Sequence, residues 1–437
     1  MKKARVLTLA LTLCLILTVF CPSAVADSAP DISARNAIVM DMSSGTVLYE
    51  KDADGKAEPA STTKIMTMLL VCEALERGDV SLDDQVSAKE ADLRLGDDDA
   101  STVKIKGGEV LSLRDLCYCA MLVSANDACN VIASHVAGSV SQFVQLMNDR
   151  AVELGCTGTH FVNTNGLPSA QHYTTARELA VITAEALKHD TFREFCGTTE
   201  YTVPATDVSK ARPLSNSNAL INANACYGDN YLYEGSYGVK TGHTDAAGYC
   251  LVSAVKADDL DLLSVVLGSD GDSVNGKYFN NFGDTIKLLD YCRENWHNSL
   301  ILGSDEALWE IPVKMGVKKQ LTLSPAEGVR RVLPADYDLN SLKRDISVNE
   351  DFVTAPISKG TVLGQVIVST PKGEILSTTD LVASTDVHAS FVAYALADAW
   401  QFASSHLIFI SALVLVLIIS AFLAIYIPHK KKGKKKK

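Results

Sequence analysis

The chain is organised around Pro59-Ala60-Ser61-Thr62-Thr63-Lys64-Ile65-Met66-Thr67, which opens a predicted helix that runs to about Arg77. This helix is apolar on most of its faces, and a helix of that kind lies in the core of a large domain. Ser61 and Lys64 stand three residues apart and therefore share one face of it. A serine hydroxyl becomes a good nucleophile only beside a base, so we expect Lys64 to take the proton of Ser61.

Lys64 can serve as a base only if its pKa falls well below the usual value for lysine. Burial and a second cation nearby both lower a lysine pKa, and the natural candidate for that cation is Lys240. It begins the motif Lys240-Thr241-Gly242 on a predicted strand, where a lysine and a threonine can hold a carboxylate and a glycine admits a peptide backbone. We expect the backbone N–H groups of His243 and Ser61 to form an oxyanion hole.

A third motif, Ser124-Ala125-Asn126, interrupts a stretch predicted to be helical from about Leu113 to Val136. It contributes a hydroxyl and an amide. We expect Ser124 to relay a proton between Lys64 and a leaving amine, and Asn126 to orient Lys64 or a substrate amide.

Each motif alone has a simpler interpretation, namely a helix cap, a polar kink or an exposed strand lysine. The pattern Ser-x-x-Lys also occurs at Ser101/Lys104 and at Ser253/Lys256. Only one set of the three motifs occurs in order and in a suitable context. That set predicts a serine acyltransferase that works without a catalytic histidine.

Both ends of the chain predict targeting elements. Residues 1–26 combine early lysines, an apolar run and the cleavage pattern Ala24-Val25-Ala26, which is typical of a signal peptide. Residues 407–427 carry no charge and are long enough to cross a bilayer, and the tail 428–437 contains seven lysines. Because such a lysine cluster stays in the cytoplasm, the sequence predicts a cell-membrane protein with a single C-terminal span and an extracellular catalytic domain.

The formal net charge of −12 hides a stronger asymmetry along the chain. Without the basic residues of the signal peptide and the tail, 30 of the 40 lysines and arginines remain against 52 acidic residues, so the exported part has a net charge near −22. A surface of this kind repels nucleic acid, and we therefore predict no nucleic-acid partner.

The cysteines indicate neither a disulfide framework nor a metal site. Eleven are present, and Cys14 and Cys21 leave with the signal peptide, so an odd number remains. Several lie in apolar helical stretches, where buried free thiols are at least as probable as disulfides. Neither a Cys-x-x-Cys pair nor a His-Glu-x-x-His motif occurs. We predict no metal and no cofactor.

The domain layout follows from changes in hydrophobic period. Residues 27–300 begin with a predicted hairpin, continue with amphipathic helices, and return to strands at Tyr237–Thr241, Tyr249–Lys256 and Leu262–Leu267. This order predicts an α+β catalytic domain with an antiparallel sheet, closed by distant segments, beside a helical lobe. Residues 305–385 predict a small all-β domain, and residues 386–406 a juxtamembrane linker that is helical.

The motifs closely resemble those of the D-alanyl-D-alanine carboxypeptidases, the low-molecular-mass penicillin-binding proteins. The resemblance extends to His160-Phe161-Val162-Asn163-Thr164-Asn165-Gly166-Leu167 and to His172-Tyr173-Thr174-Thr175-Ala176, and it covers about residues 33–385. It implies a catalytic domain of the β-lactamase/penicillin-binding-protein fold, followed by a small β domain. It also implies removal of the terminal D-alanine from peptidoglycan stem pentapeptides.

The resemblance also implies roles for individual residues. Ser61 would form the acyl-enzyme with Lys64 as its base, and penicillins, which mimic D-Ala-D-Ala, would acylate Ser61. The other carried-over site residues assist proton transfer (Ser124, Asn126), hold the substrate carboxylate (Lys240, Thr241), and complete the motif and the oxyanion hole (Gly242, His243). The sequence departs from the family in its anchor, because the family often uses an amphipathic helix that lies on the membrane.

Three other readings compete with this one. A serine β-lactamase shares the three motifs, but no Glu-x-x-Leu-Asn loop occurs between Asn126 and Lys240. A catalytically silent wall-binding or penicillin-sensing protein would be free to lose Ser61 or Lys64. A Ser-His-Asp hydrolase would need a Gly-x-Ser-x-Gly elbow, which the sequence lacks.

Overall fold

The computed structural model describes residues 29–97, 100–225, 231–272 and 278–426. The predicted signal peptide (1–26) and lysine tail (428–437) lie outside the described residues. The chain forms two compact units, described separately below. The first unit contains the chain up to Asn298 together with a later segment, Val332–Asp336. The second unit contains Ser299–Arg331 and the chain from Tyr337 onward.

The first unit contains the strands and helices that carry the three motifs. Its strands are β1 (Asn36–Asp41), β2 (Val47–Lys51), β3 (Gln85–Ser87), β4 (Val110–Ser112), β5 (Glu200–Val203), β6 (Arg212–Ser215), β7 (Ser236–Thr244), β8 (Gly248–Ala257), β9 (Leu260–Ser269), β10 (Gly271–Asp272) and β11 (Tyr278–Phe279). Its helices are α1 (Lys64–Arg77), α2 (Leu113–Leu122), α3 (Asn126–Ala137), α4 (Val140–Glu153), α5 (Ala176–Ala186), α6 (Asp190–Gly197) and α7 (Asn280–Asn295).

The main sheet is antiparallel, with strand order β2-β1-β9-β8-β7. The N-terminal hairpin joins strands from residue 236 onward, with Ile38 opposite Val265, so distant segments close the sheet as predicted. Nearly every residue of β8 and β9 is buried, because both faces of the sheet are covered. The strand β7, which carries the Lys240 motif, lies at the edge.

Each face of the sheet has its own hydrophobic core. Val252 and Val265 face the helical lobe, where α1 is buried along most of its length. Leu251 and Val266 point the other way and pack in a second cluster with residues of α7 such as Leu289. The α+β class with a helical lobe is therefore confirmed.

The Leu113–Val136 stretch forms two helices, α2 and α3, separated at the predicted interruption. Ser112 caps α2 by accepting a hydrogen bond from the Asp115 backbone N–H at 3.0 Å. The chain then breaks at Ser124-Ala125 before α3 begins at Asn126. The eight cysteines of the described residues are all buried and free.

The second unit is all-β up to its C-terminal helices. Its strands include β13 (Trp309–Lys314), β14 (Gln320–Pro325), β16 (Lys343–Val348), β17 (Val353–Thr354), β18 (Val362–Ser369) and β19 (Ile375–Ala383). They form a six-stranded sheet in the order β16-β18-β19-β14-β13-β17. Two further strands, β12 (Trp296–Leu302) and β15 (Val329–Pro334), each contain residues of both units. The predicted small all-β domain is thus confirmed as a fold.

Two helices end the described chain. Residues just before them pair with the β domain, with Ile357 opposite Val387 and Gly316 opposite Ala389. The helices are α8 (Phe391–Ser405) and α9 (Leu407–Tyr426). Residues Leu407–Ile425 have a mean hydropathy of 3.1 and none of them is buried, so their length and composition are consistent with a membrane anchor.

Candidate active site

Ser61 lies in a short 3-10 turn, Ala60–Thr63, that runs directly into α1. The sequence placed Ser61 in the first turn of the helix, whereas α1 itself begins at Lys64. In a 3-10 turn, side chains three residues apart are eclipsed, which brings the Lys64 Nζ to 2.9 Å from the Ser61 Oγ.

Lys64 is fully buried at the base of the site. Its Nζ donates to the Asn126 Oδ1 at 2.7 Å and to the backbone carbonyl of Asn165 at 2.8 Å. Burial lowers the pKa of Lys64 to about 8, although the carboxylate of Asp127 acts in the opposite direction. A minor fraction of Lys64, roughly a tenth, is therefore neutral near pH 7.

The break between α2 and α3 brings the second motif to the same place. Asn126 is the first residue of α3, and its backbone N–H donates to the Ser101 carbonyl at 2.8 Å. Ser124 has a φ of +59°, a left-handed conformation that is strained for a residue with a side chain. Its hydroxyl is buried and has no hydrogen-bond partner within the described part of the chain.

The strand β7 forms the opposite wall of the site. Lys240 is buried, and its Nζ donates to the carbonyl of Thr241 at 3.0 Å. Burial, and then the neighbouring charge of Lys64, lower the pKa of Lys240 to about 7. Gly242 lies against the Ser61 turn, and the ring of His243 stacks on Tyr249 with ring centroids 4.2 Å apart.

A cavity of about 540 Å³ connects these elements. Six of the eight predicted site residues line it, namely Ser61, Ser124, Asn126, Thr241, Gly242 and His243. The other two, Lys64 and Lys240, lie buried at its base and reach it through their hydrogen bonds. The structure therefore brings all eight predicted residues together.

Sequence reasoning missed two contributors to this site. Asn165 contacts Lys64 through its backbone carbonyl, and Ser217 lines the cavity with its Oγ 2.7 Å from the Thr241 Oγ1. The Asn165 contact is made by a backbone carbonyl, which every residue has, so no side-chain type in the sequence indicates it. The segment Asn163-Thr164-Asn165-Gly166 has turn composition and lies in a stretch that resembles the family, but neither signal indicates which carbonyl contacts Lys64.

The geometry defines a class of protein. A serine hydroxyl beside a buried lysine, in a cleft with a second buried lysine, has the parts needed to form an acyl-enzyme. The hydrogen-bond partners recorded for Ser61 and Lys64 include no histidine. This arrangement is suited to a serine hydrolase in which a lysine acts as the base.

Comparison with known proteins identifies the family. Residues 23–271 match the family described as D-alanyl-D-alanine carboxypeptidase, and residues 296–389 match the C-terminal domain of penicillin-binding protein 5. The chain therefore belongs to the D-alanyl-D-alanine carboxypeptidase family, a family of serine hydrolases. The resemblance inferred from the motifs is confirmed.

Individual relatives align over most of the chain. The D-alanyl-D-alanine carboxypeptidase DacF of Bacillus subtilis is 31% identical, over 83% of this chain and 88% of the relative. DacC of Escherichia coli is 33% identical, over 80% of this chain and 84% of the relative. The crystal structure of penicillin-binding protein 5 from Haemophilus influenzae superposes with a TM-score of 0.62 at 26% identity, over 83% of this chain and 100% of that one.

Proposed function

We propose that Ser61 and Lys64 are the nucleophile and base with which this enzyme removes the terminal D-alanine from peptidoglycan stem pentapeptides. The observation that carries the proposal is the 2.9 Å contact between the Ser61 Oγ and the Nζ of the fully buried Lys64. Burial lowers the pKa of Lys64 to about 8, so at neutral pH roughly a tenth of it is neutral and able to accept a proton.

The reaction proceeds through an acyl-enzyme. The Ser61 Oγ attacks the carbonyl carbon of the penultimate D-alanine, and Lys64 takes the hydroxyl proton. The new C–O bond gives a tetrahedral oxyanion. When this intermediate collapses, the C–N bond breaks and the proton passes from Lys64 through the Ser124 hydroxyl to the departing amine of D-alanine. Asn126 orients Lys64 through its Oδ1. Water then hydrolyses the ester and frees Ser61.

The substrate binds along the edge strand β7. Lys240 and Thr241 hold the terminal carboxylate through charge and a hydroxyl group. The backbone N–H groups of Ser61 and His243 stabilise the oxyanion, which forms close to Gly242. Penicillins enter the same cleft, and opening of their lactam C–N bond leaves an acyl group on Ser61.

The membrane arrangement is also part of the proposal. The helix α9 crosses the cell membrane once, and the catalytic domain lies on the extracellular side, opposite the lysine tail. The proposed segments are the signal peptide (1–26), the catalytic domain (27–300), the β domain (305–385), the linker (386–406), the span (407–427) and the tail (428–437). Protease added outside intact cells should cut the catalytic domain and leave the tail protected. A protected catalytic domain would reverse this orientation.

The direct test is D-alanine release from a peptide that ends in D-Ala-D-Ala, using the full chain in detergent with a Ser61→Ala control. We expect release by the native chain and none by the control. Stable penicillin labelling of Ser61 without release would instead support a penicillin-sensing protein. Rapid penicillin turnover without release would support a β-lactamase.

A further inference from the structure

The three neighbours of the Lys64 Nζ determine which way the amine points. The Asn126 Oδ1 at 2.7 Å and the Asn165 carbonyl at 2.8 Å can only accept hydrogen bonds. A neutral amine has two N–H groups and one lone pair. With both N–H groups directed at these acceptors, the lone pair faces the third neighbour, the Ser61 Oγ at 2.9 Å.

The Asn165 carbonyl is held in place by the side chain of Asn163. The Asn163 Oδ1 accepts from the backbone N–H of Asn165 at 3.3 Å and of Gly166 at 2.7 Å. Its Nδ2 donates to the Leu167 carbonyl at 2.9 Å. These three hydrogen bonds close a turn, residues 163–167, around the peptide group that contacts Lys64.

This turn is pressed against the nucleophile and the helix that follows it. Gly166 has a φ of +89°, and a Cβ at this position would lie 1.8 Å from the Ala60 carbonyl oxygen. The Thr67 Oγ1 donates to the Thr164 carbonyl at 2.6 Å, which ties the turn to α1. A shift of the turn therefore moves the acceptor of Lys64 relative to Ser61.

We propose that Asn163 is a positioning residue for acyl transfer, which sets the direction of the Lys64 lone pair through the Asn165 carbonyl. This inference rests on the proposed role of Lys64 as the base. Asn163 acts on the reaction only through Asn165 and touches neither Ser61 nor the Lys64 Nζ in the recorded contacts.

The chain offers a matched control in Asn148 on α4. Its side chain also makes three hydrogen bonds to backbone, donating to the carbonyls of Val144 at 3.0 Å and Phe161 at 2.8 Å, and accepting from the Phe161 N–H at 2.8 Å. None of these groups contacts Lys64. Asn148→Ala therefore removes a similar set of bonds without disturbing the base.

The experiment measures the rate of Ser61 acylation by a fluorescent penicillin between pH 5.5 and 9.5, on the full chain in detergent. We expect Asn163→Ala to lower the plateau rate about 10- to 100-fold, because small misplacement of a catalytic group has effects of that size. Asn148→Ala should stay within about twofold of the native rate at a comparable loss of thermal midpoint.

Asn163→Asp supplies a readout that a merely structural residue would not change. It keeps the Oδ1 acceptor, replaces the Nδ2 donor to the Leu167 carbonyl with an oxygen, and adds a negative charge near Lys64. The other titratable neighbours of Lys64, namely Cys129, Asp127, His172 and Lys240, are unaltered. A negative charge favours protonated Lys64, so the acid limb of the rate profile should move to higher pH by about 0.5 unit or more. This variant also carries the test if Asn163→Ala does not fold.

If Ser61→Ala abolishes labelling as expected, two results would overturn the role of Asn163 and leave the proposed nucleophile unaffected. One is equal slowing by Asn163→Ala and Asn148→Ala, and the other is a native pH profile for Asn163→Asp. Labelling that persists in Ser61→Ala would overturn the proposed nucleophile, and the role of Asn163 would fall with it.

Discussion

Gly242 on β7 lies so close to the nucleophile turn that a Cβ at this position would be 3.1 Å from the Ser61 backbone nitrogen. The same Cβ would be 3.2 Å from the Pro59 carbonyl oxygen and from the Thr62 nitrogen. These distances are shorter than ordinary van der Waals contacts. The absence of a side chain at Gly242 therefore sets the spacing between Ser61 and the strand proposed to bind the substrate.

We expect Gly242→Ala to slow acylation of Ser61 by about 10- to 100-fold, because the methyl group pushes the strand away from the nucleophile turn. Stopped-flow measurement with a fluorescent penicillin reports this rate. Gly283→Ala is the matched control, since a Cβ at Gly283 in α7 meets nothing within 4 Å. A rate for Gly242→Ala within twofold of that control would show that the close approach is not needed.

The two buried lysines predict a specific pH dependence. With Lys64 as the proposed base, acylation needs the neutral amine, and burial lowers the Lys64 pKa to about 8, so the rate should rise as the pH approaches that value. The pKa of Lys240 is about 7, because burial and then the charge of Lys64 lower it, so Lys240 is largely neutral at the pH where Lys64 titrates. Lys240→Met should therefore leave the acid limb close to its native position.

Lys240→Arg is the complementary variant, because a guanidinium remains charged over the whole range. Its acid limb should lie at lower pH than the native one when penicillin acylation is followed from pH 5.5 to 9.5, since a permanent cation beside Lys64 favours the neutral amine. Superimposable acid limbs for the methionine and arginine variants would mean that the charge at residue 240 does not tune Lys64.

Ser124 allows backbone strain and proton transfer to be separated. Its φ of +59° costs a residue with a Cβ about 1–2 kcal/mol, a cost that glycine does not bear. Ser124→Gly should therefore have the higher thermal midpoint of unfolding when compared with Ser124→Ala. Both variants lack the hydroxyl and should release D-alanine about 100-fold more slowly or worse.

Equal midpoints for the two Ser124 variants would show that the left-handed backbone carries no cost here. Near-native release of D-alanine by Ser124→Ala would exclude the proposed proton relay, whatever the midpoints are.

The sequence predicted those parts of the structure that repeat along the chain. The apolar runs that form β8 and β9 identify the sheet in the sequence. The polar break at Ser124 correctly predicts the separation of two helices. The sequence does not fix the first residue of the helix after Ser61, because Thr62 and Thr63 suit either a 3-10 turn or an α-helix. The predicted helix at Ser61 consequently begins three residues later, at Lys64.

The rest of the site depends on tertiary contacts that leave no periodic signal. The Asn165 carbonyl reaches Lys64 across 101 positions of sequence, and Ser217 reaches Thr241 from a loop after β6. Neither side chain belongs to a catalytic pattern. The prediction from residue types alone therefore stopped at the three motifs and did not reach the groups that hold them.

A buried ion pair holds the segment that follows the cleft residue Ser101. Arg212 on β6 donates to both carboxylate oxygens of Glu109 at 2.9 Å and to the Val103 carbonyl at 3.0 Å. The Glu109 side chain is fully buried, and that of Arg212 is 13% exposed. Arg212→Met leaves this carboxylate without its cation, and we expect a loss of about 3–5 kcal/mol in unfolding free energy.

The thermal midpoint of the full chain in detergent measures this loss, and the double variant Glu109→Gln/Arg212→Met should recover part of it by removing the unpaired charge. Arg193→Met is a suitable control, because Arg193 pairs with the highly exposed Asp190, and exposed pairs contribute about 1 kcal/mol or less. Equal midpoints for the Arg212 and Arg193 variants would mean that burial adds no cost to the broken pair. A double variant no more stable than Arg212→Met would place the loss in the Val103 contact instead.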